Sequence, residues 1–141
     1  MQTTKEAIDL IKARFLSEGN SAEIPKMRGG TFNAWLREDG IEVDNLNPSN
    51  NLLPWAVFQT AIETLIANGG TAEKGDAMAG TLGSEKLPTN TIEGSVASKV
   101  YDVKPGESVF RRITPVTGIL TWAGICENLP GALKLKSKLN R

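Results

Sequence analysis

The sequence predicts a mainly α-helical protein with one short β-hairpin near its C-terminus. Most apolar residues recur at the three- and four-residue spacing of an amphipathic helix, and several of these segments begin at a threonine that can cap a helix. Segments that alternate between apolar and polar residues are few and short. A Pro-Gly pair, which favours a tight turn, separates the last two of them.

The first 50 residues are predicted to form an N-terminal helical extension. A helix that begins at Thr3 or Thr4 and ends near Leu16 presents one apolar face. A turn at residues 27–31 leads into a second short helix, which Thr31 caps and a glycine ends. Residues 41–44 alternate and indicate a short strand. The loop at residues 45–51 is the predicted boundary, so residues 51–141 form a second region.

Residues 51–141 are predicted to contain four helices followed by the hairpin. The clearest helix begins at Pro54 and stops at a Gly-Gly pair. Thr71 is expected to cap a short helix, Thr91 a polar helix and Thr114 the last helix. Two short strands, residues 125–127 and 132–135, complete the region. The residues predicted to share one core are Trp55, Phe58, Ile62, Leu65, Ile113, Leu120 and Trp122.

The composition excludes several kinds of chemistry. The chain of 141 residues has no histidine, which removes the usual general base and the commonest metal ligand. Its one cysteine leaves no internal disulfide and fits a reducing compartment. No apolar run approaches the roughly 20 residues of a membrane helix. We therefore expect a cytoplasmic, non-catalytic protein with no metal, no cofactor and no membrane partner.

The charge is neutral overall but uneven along the chain. Residues 1–70 contain 6 basic and 9 acidic residues, whereas residues 71–141 contain 10 and 7. A strongly basic nucleic-acid binder is not indicated by composition. Any anion-binding surface is expected in the C-terminal half.

Two apolar segments carry a family resemblance. They are AIETLIANGG at residues 61–70 and RITPVTGILTWAGI at residues 112–125. Both resemble the N-terminal winged-helix domain of Mrr-type restriction proteins, over residues 53–136. The resemblance implies a winged-helix-like fold, in which a helix-turn-helix precedes the C-terminal β-hairpin.

The polar helix and the C-terminal strand are the candidate DNA-binding elements. Short hydroxyl and amide side chains can contact base edges, and basic side chains neutralise phosphates. The candidate residues are Asn90, Thr91, Ser95, Ser98, Lys99, Arg111, Arg112, Lys134 and Lys136. The alternatives are a solvent-exposed helix of weak propensity and a charged edge strand that resists aggregation.

Two further motifs carry weaker functional interpretations. The segment from Arg28 to Thr31 would hold an anion if it began a helix, although a tight turn that requires glycine is favoured. The triplet from Asp102 to Lys104 is the acidic-x-Lys pattern that a metal-dependent nuclease would need, which makes a nuclease a distant alternative.

The sequence therefore indicates a non-catalytic nucleic-acid-binding or regulatory protein whose partner is double-stranded DNA. A homodimer would double the number of phosphate contacts. Because the net charge is neutral, a protein-interaction adaptor that binds no nucleic acid is the alternative.

Overall fold

The computed structural model describes residues 4–136 and contains four α-helices and seven β-strands within them. The helices are α1 (Thr4–Ser17), α2 (Trp55–Ala67), α3 (Ile92–Tyr101) and α4 (Ile113–Trp122). The strands are β1 (Ser21–Pro25), β2 (Thr31–Arg37), β3 (Gly40–Val43), β4 (Leu52–Pro54), β5 (Thr71–Glu73), β6 (Cys126–Leu129) and β7 (Ala132–Leu135). They form two antiparallel sheets, one in the order β1-β2-β3-β4 and the other in the order β5-β7-β6.

The chain is therefore an α/β protein. The predicted fold class, mainly α-helical and winged-helix-like after a helical extension, is wrong. A four-stranded sheet stands where most of the helical extension was predicted, and β5 stands where Thr71 was expected to begin a helix. No helix between residues 4 and 136 combines the length and the apolar character needed to cross a bilayer.

Strand β2 occupies the residues whose spacing predicted a helix capped by Thr31. Phe32 and Ala34 are buried while Thr31 and Asn33 are exposed, which is the two-residue period of a strand. β2 pairs with β1 along one edge and with β3 along the other. The backbone groups of this segment are thus satisfied by neighbouring strands, and this pairing overrides the apparent helical spacing.

Helix α2 lies at the centre of the core, as its apolar sequence predicted. It contacts the other three helices and strands of both sheets. Five of the seven predicted core residues are buried, and Trp55 and Trp122 pack against them from partly buried positions. The same core cluster contains buried residues from before and after position 50.

The predicted C-terminal hairpin is confirmed as β6 and β7. Leu133 and Leu135 are buried whereas Lys134 is exposed, so the predicted alternation is also confirmed. β5 pairs with the far side of β7, with Ala72 opposite Leu133. β7 is therefore the central strand of its sheet and not the edge strand that the alternative interpretation assumed.

Helix α4 is held at both ends by charged side chains from distant parts of the chain. At its start, Oε1 of Glu93 accepts a hydrogen bond from the backbone N–H of Arg112 at 2.7 Å. At its end, the guanidinium of Arg14 donates to the carbonyl of Trp122 at 2.7 Å. The Glu93 oxygen satisfies a backbone N–H that has no partner within the helix, and the Arg14 cation complements the helix dipole.

The middle of α4 packs against β1 and β2 through Gly118. A Cβ atom on this residue would lie 2.9 Å from Cε1 of Phe32 and 3.6 Å from Cγ2 of Ile24. Phe32 and Ile24 are themselves buried and have little freedom to move aside. Helix and sheet can therefore approach this closely only because residue 118 has no side chain.

We expect Gly118→Val to lower the free energy of unfolding by about 1–3 kcal/mol, since the added methyl groups would overpack a filled core. Thr121→Val introduces the same side chain on the same helix without adding volume. It should be nearly neutral, because the buried Thr121 hydroxyl has no hydrogen-bond partner within residues 4–136. Urea denaturation of both variants measures the difference, and equal unfolding free energies would contradict the close approach.

Candidate functional site

Four chain segments surround an open cleft of about 910 Å³. They are the β1–β2 turn, the residues that follow β5, the start of α4 and the β6–β7 turn. Lys86, Pro88 and Thr91, from the segment before α3, complete the lining. The cleft therefore combines segments that are far apart in sequence and that neither sheet positions alone.

Basic side chains outnumber acidic ones in the cleft lining. The five basic residues are Lys26, Arg28, Lys74, Lys86 and Arg111, and the two acidic residues are Glu73 and Asp76. None of the five forms an ion pair within 4.0 Å with any residue of the part that the structure describes. The Asp76 carboxylate instead accepts hydrogen bonds from the backbone N–H groups of Met78 and Ala79, both at 3.1 Å. The cleft thus has an excess of positive charge.

Two main-chain hydrogen bonds hold Lys74 in the cleft. Its N–H donates to the carbonyl of Gly131 at 2.9 Å, and its carbonyl accepts from the N–H of Glu93 at 2.9 Å. The side chain is half-buried, and its ammonium group contacts Sδ of Met27 at 3.6 Å. Burial lowers the pKa of the Lys74 ammonium, and the charge of Arg28 lowers it further.

Lys26 and Arg28 belong to the tight turn between β1 and β2. The N–H of Lys26 donates to the carbonyl of Gly30 at 2.9 Å. Gly29 and Gly30 have φ angles of 101° and 75°, a region that glycine enters without strain. The interpretation as a tight turn is confirmed, and the anion site at a helix start is corrected because a strand follows the turn.

Glu93 fixes the segment that carries Arg111 into the cleft. Glu93 is only 2% exposed. Burial raises its pKa to about 7, although hydrogen bonds from the Arg112 and Ile113 backbones and the Arg112 charge act in the opposite direction. The Arg112 guanidinium lies 3.6 Å from the ring centroid of Tyr101, so this side chain packs within the fold.

Three of the nine predicted DNA contacts are buried and engaged in the fold. The Thr91 hydroxyl caps α3 by accepting a hydrogen bond from the N–H of Gly94 at 3.0 Å. The Ser95 hydroxyl donates to the carbonyl of Thr89 at 3.2 Å. The Arg112 guanidinium stacks on the ring of Tyr101, as described above. The polar groups of these three residues are therefore engaged within the fold, although Thr91 also lines the cleft. Their assignment as DNA contacts stays a prediction.

The other six predicted contacts are exposed or partly buried, and only Arg111 among them lines the cleft. The remaining five are Asn90, Ser98, Lys99, Lys134 and Lys136. Sequence reasoning missed Lys26, Lys74 and Lys86. Glycines follow Lys26 and Lys74 within a few residues, which is a signal for basic loops, but nothing local indicates that the loops meet.

The nuclease alternative gains no metal site from residues 4–136, where no group of three His, Cys, Asp or Glu side chains is suited to hold an ion. Asp102 ends α3 and pairs on the surface with Lys104 at 2.7 Å. Cys126 is buried, and burial raises the pKa of its thiol to about 12. Such a thiol stays protonated at neutral pH and is not a nucleophile.

Comparison of the chain with protein-family models, with curated proteins and with solved structures found no match. The resemblance to Mrr-type restriction proteins therefore stays a prediction. The indications of function that the cleft offers are therefore its geometry and its charge.

Glu93 is expected to make the stability of the fold depend on pH. Its pKa is about 7 in the folded chain against an ordinary value of 4.5, so the folded state binds this proton more tightly. The resulting stabilisation is fully present below pH 4.5 and is lost as the pH rises through about 7.

Glu93→Gln retains an acceptor oxygen but cannot titrate. We expect the wild type to gain about 2–3 kcal/mol of unfolding free energy relative to this variant between about pH 8 and about pH 5. Urea denaturation across this range measures the gain. Glu63→Gln, at an exposed position on α2, is the control and should follow the wild type. Parallel profiles for the wild type and Glu93→Gln would show that the buried carboxyl does not titrate as described.

Proposed function

We propose that this chain is a non-catalytic nucleic-acid-binding module whose cleft contacts the phosphate backbone. The observation that carries the proposal is the convergence on one cleft of five basic side chains, none of which has an ion-pair partner within residues 4–136. Phosphate groups are the anions that such clusters of lysine and arginine bind in nucleic acids.

The charge of the cleft does not follow from the charge of the chain. The formal net charge of the whole sequence is zero, whereas the cleft lining has five basic and two acidic residues. Other basic residues are neutralised locally, as in the pairs of Lys5 with Asp9 and of Arg37 with Glu42. A local excess of one charge in a concave, low-dielectric site attracts ligands of the opposite charge.

The cleft lining favours contacts with phosphates over contacts with bases. No aromatic ring is among the described residues that line it, so it offers no platform on which bases would stack. Lysine and arginine contacts to phosphates position a nucleic acid without discriminating between sequences. The proposed binding is therefore largely independent of sequence and sensitive to salt.

Charge reversal separates the cleft from the C-terminal strand as the binding surface. The cleft variant is Lys26→Glu/Lys86→Glu, and the matched control is Lys134→Glu/Lys136→Glu, which makes the same change in charge outside the cleft. Fluorescence anisotropy with a short labelled duplex and with its single strand measures both. We expect the cleft variant to weaken binding at least about tenfold and to reduce the log-log salt slope by about 2, since each phosphate contact contributes roughly 0.9.

Two outcomes would contradict the proposal. If only the control variant weakens binding, the nucleic acid is held by the exposed face of β7 instead of the cleft. If the wild type binds neither the duplex nor the single strand at low salt, the nucleic-acid function fails. A protein partner would then be the remaining hypothesis.

A further inference from the structure

One corner of the cleft contains two cations from separate segments. Arg28 belongs to the β1–β2 turn, and Lys74 is the residue that directly follows β5. The Lys74 ammonium contacts a thioether sulfur, Sδ of Met27, which is a weak hydrogen-bond acceptor. Within residues 4–136, neither cation has a carboxylate within 4.0 Å.

The proximity of these two cations disfavours the charged form of Lys74. Its side chain is half-buried, and both burial and the charge of Arg28 lower the pKa of the ammonium. Charged side chains are almost never fully buried unless they are paired, and the half-buried Lys74 has no carboxylate partner within residues 4–136. An anion between the two side chains would attract both of them and remove the repulsion, so the corner suits a ligand with more than one negative charge.

The corner also has room for such a ligand. Gly29 follows Arg28 in the turn, and apart from its chain neighbours no atom lies within 4 Å of the position that its Cβ would occupy. The backbone of the turn is therefore open to an approaching group. The cleft volume of about 910 Å³ lies in the range of small-molecule sites, which is large enough for the phosphorylated end of a strand.

We propose that the Arg28–Lys74 corner is a subsite for a phosphomonoester dianion, which in a nucleic acid occurs at the end of a strand. This inference rests on the proposed nucleic-acid function and specifies the end of a strand as its ligand. A terminal phosphate has a charge of about −1.5 to −2 at neutral pH and three acceptor oxygens, whereas an internal phosphodiester has a single charge. The phosphates next to the terminal one along the strand are contacted by the remaining basic residues of the cleft, which are Lys26, Lys86 and Arg111.

The test compares oligonucleotides of one sequence that have a 5′-phosphate, a 3′-phosphate or hydroxyls at both ends. We expect the wild type to bind one of the phosphorylated forms at least about fivefold more tightly, because the extra charge meets two cations. Lys74→Met should abolish this preference, and Lys134→Met, a matched loss of charge outside the cleft, should retain it.

A parallel measurement on the wild type is mass-spectrometric footprinting of lysine acylation with and without inorganic phosphate. The phosphate should protect Lys74 selectively from acylation.

The outcomes distinguish the two proposals. Equal binding of all three oligonucleotides, with loss of binding in Lys26→Glu/Lys86→Glu, would overturn the subsite and retain the nucleic-acid function. Protection of Lys74 by inorganic phosphate without binding of any oligonucleotide would support the phosphomonoester subsite and overturn the nucleic-acid function. If inorganic phosphate does not protect Lys74 and none of the oligonucleotides binds, both proposals are wrong.

Discussion

The position of α4 depends on two charged residues that its own sequence does not contain. The first turn of α4 has no acidic residue and its last turn has no basic one. Glu93 supplies the accepting carboxyl oxygen at its start and Arg14 supplies the cation at its end, each through a hydrogen bond of 2.7 Å. A cation at the end of a helix stabilises it by about 0.3–2 kcal/mol, depending on burial. The buried Glu93 carboxyl acts through its hydrogen bond to the Arg112 N–H, since its pKa of about 7 leaves it only partly charged at neutral pH. The close approach at Gly118 then fixes the helix against the four-stranded sheet.

This arrangement creates the cleft. With α4 fixed, its start and the preceding Arg111 form one wall, and the β1–β2 turn with Arg28 forms another. The residues after β5 reach the same space because the main chain of Lys74 is bonded to the β6–β7 turn and to α3. The positive charge of the cleft is thus a property of the tertiary structure, assembled from segments whose sequences are each unremarkable in charge. A folded chain that leaves such cations unpaired gives up ion-pair stabilisation, and binding an anion would restore it.

The sequence predicted the elements whose signals are local. Helices α1, α2 and α3 follow from apolar spacing and, for α3, from the Thr91 cap, and the final hairpin follows from alternation around Pro130-Gly131. Strands β1, β2, β4 and β5 were missed because they are identified by their pairing with neighbouring strands. β1, for example, alternates over only five residues and has Ile24 as its one buried residue, which is too short a pattern to predict a strand without its partner.

The candidate site was less predictable for the same reason. Thr91 was expected both to cap α3 and to contact DNA, but its hydroxyl accepts the capping bond and the residue is buried. Lys26, Lys74 and Lys86 have no common motif, and only the fold shows that they meet.

The central claim is that ligand binding occurs at the cleft formed around the start of α4. Two-dimensional ¹H–¹⁵N NMR of the labelled protein, titrated with a phosphorylated oligonucleotide at low salt, tests it residue by residue. The account predicts that the perturbed amides cluster in residues 26–30, 74–76, 111–118 and 128–131. Perturbations confined to residues 98–99 of α3, to Lys134 of β7 and to Lys136, with the cleft amides unchanged, would contradict it.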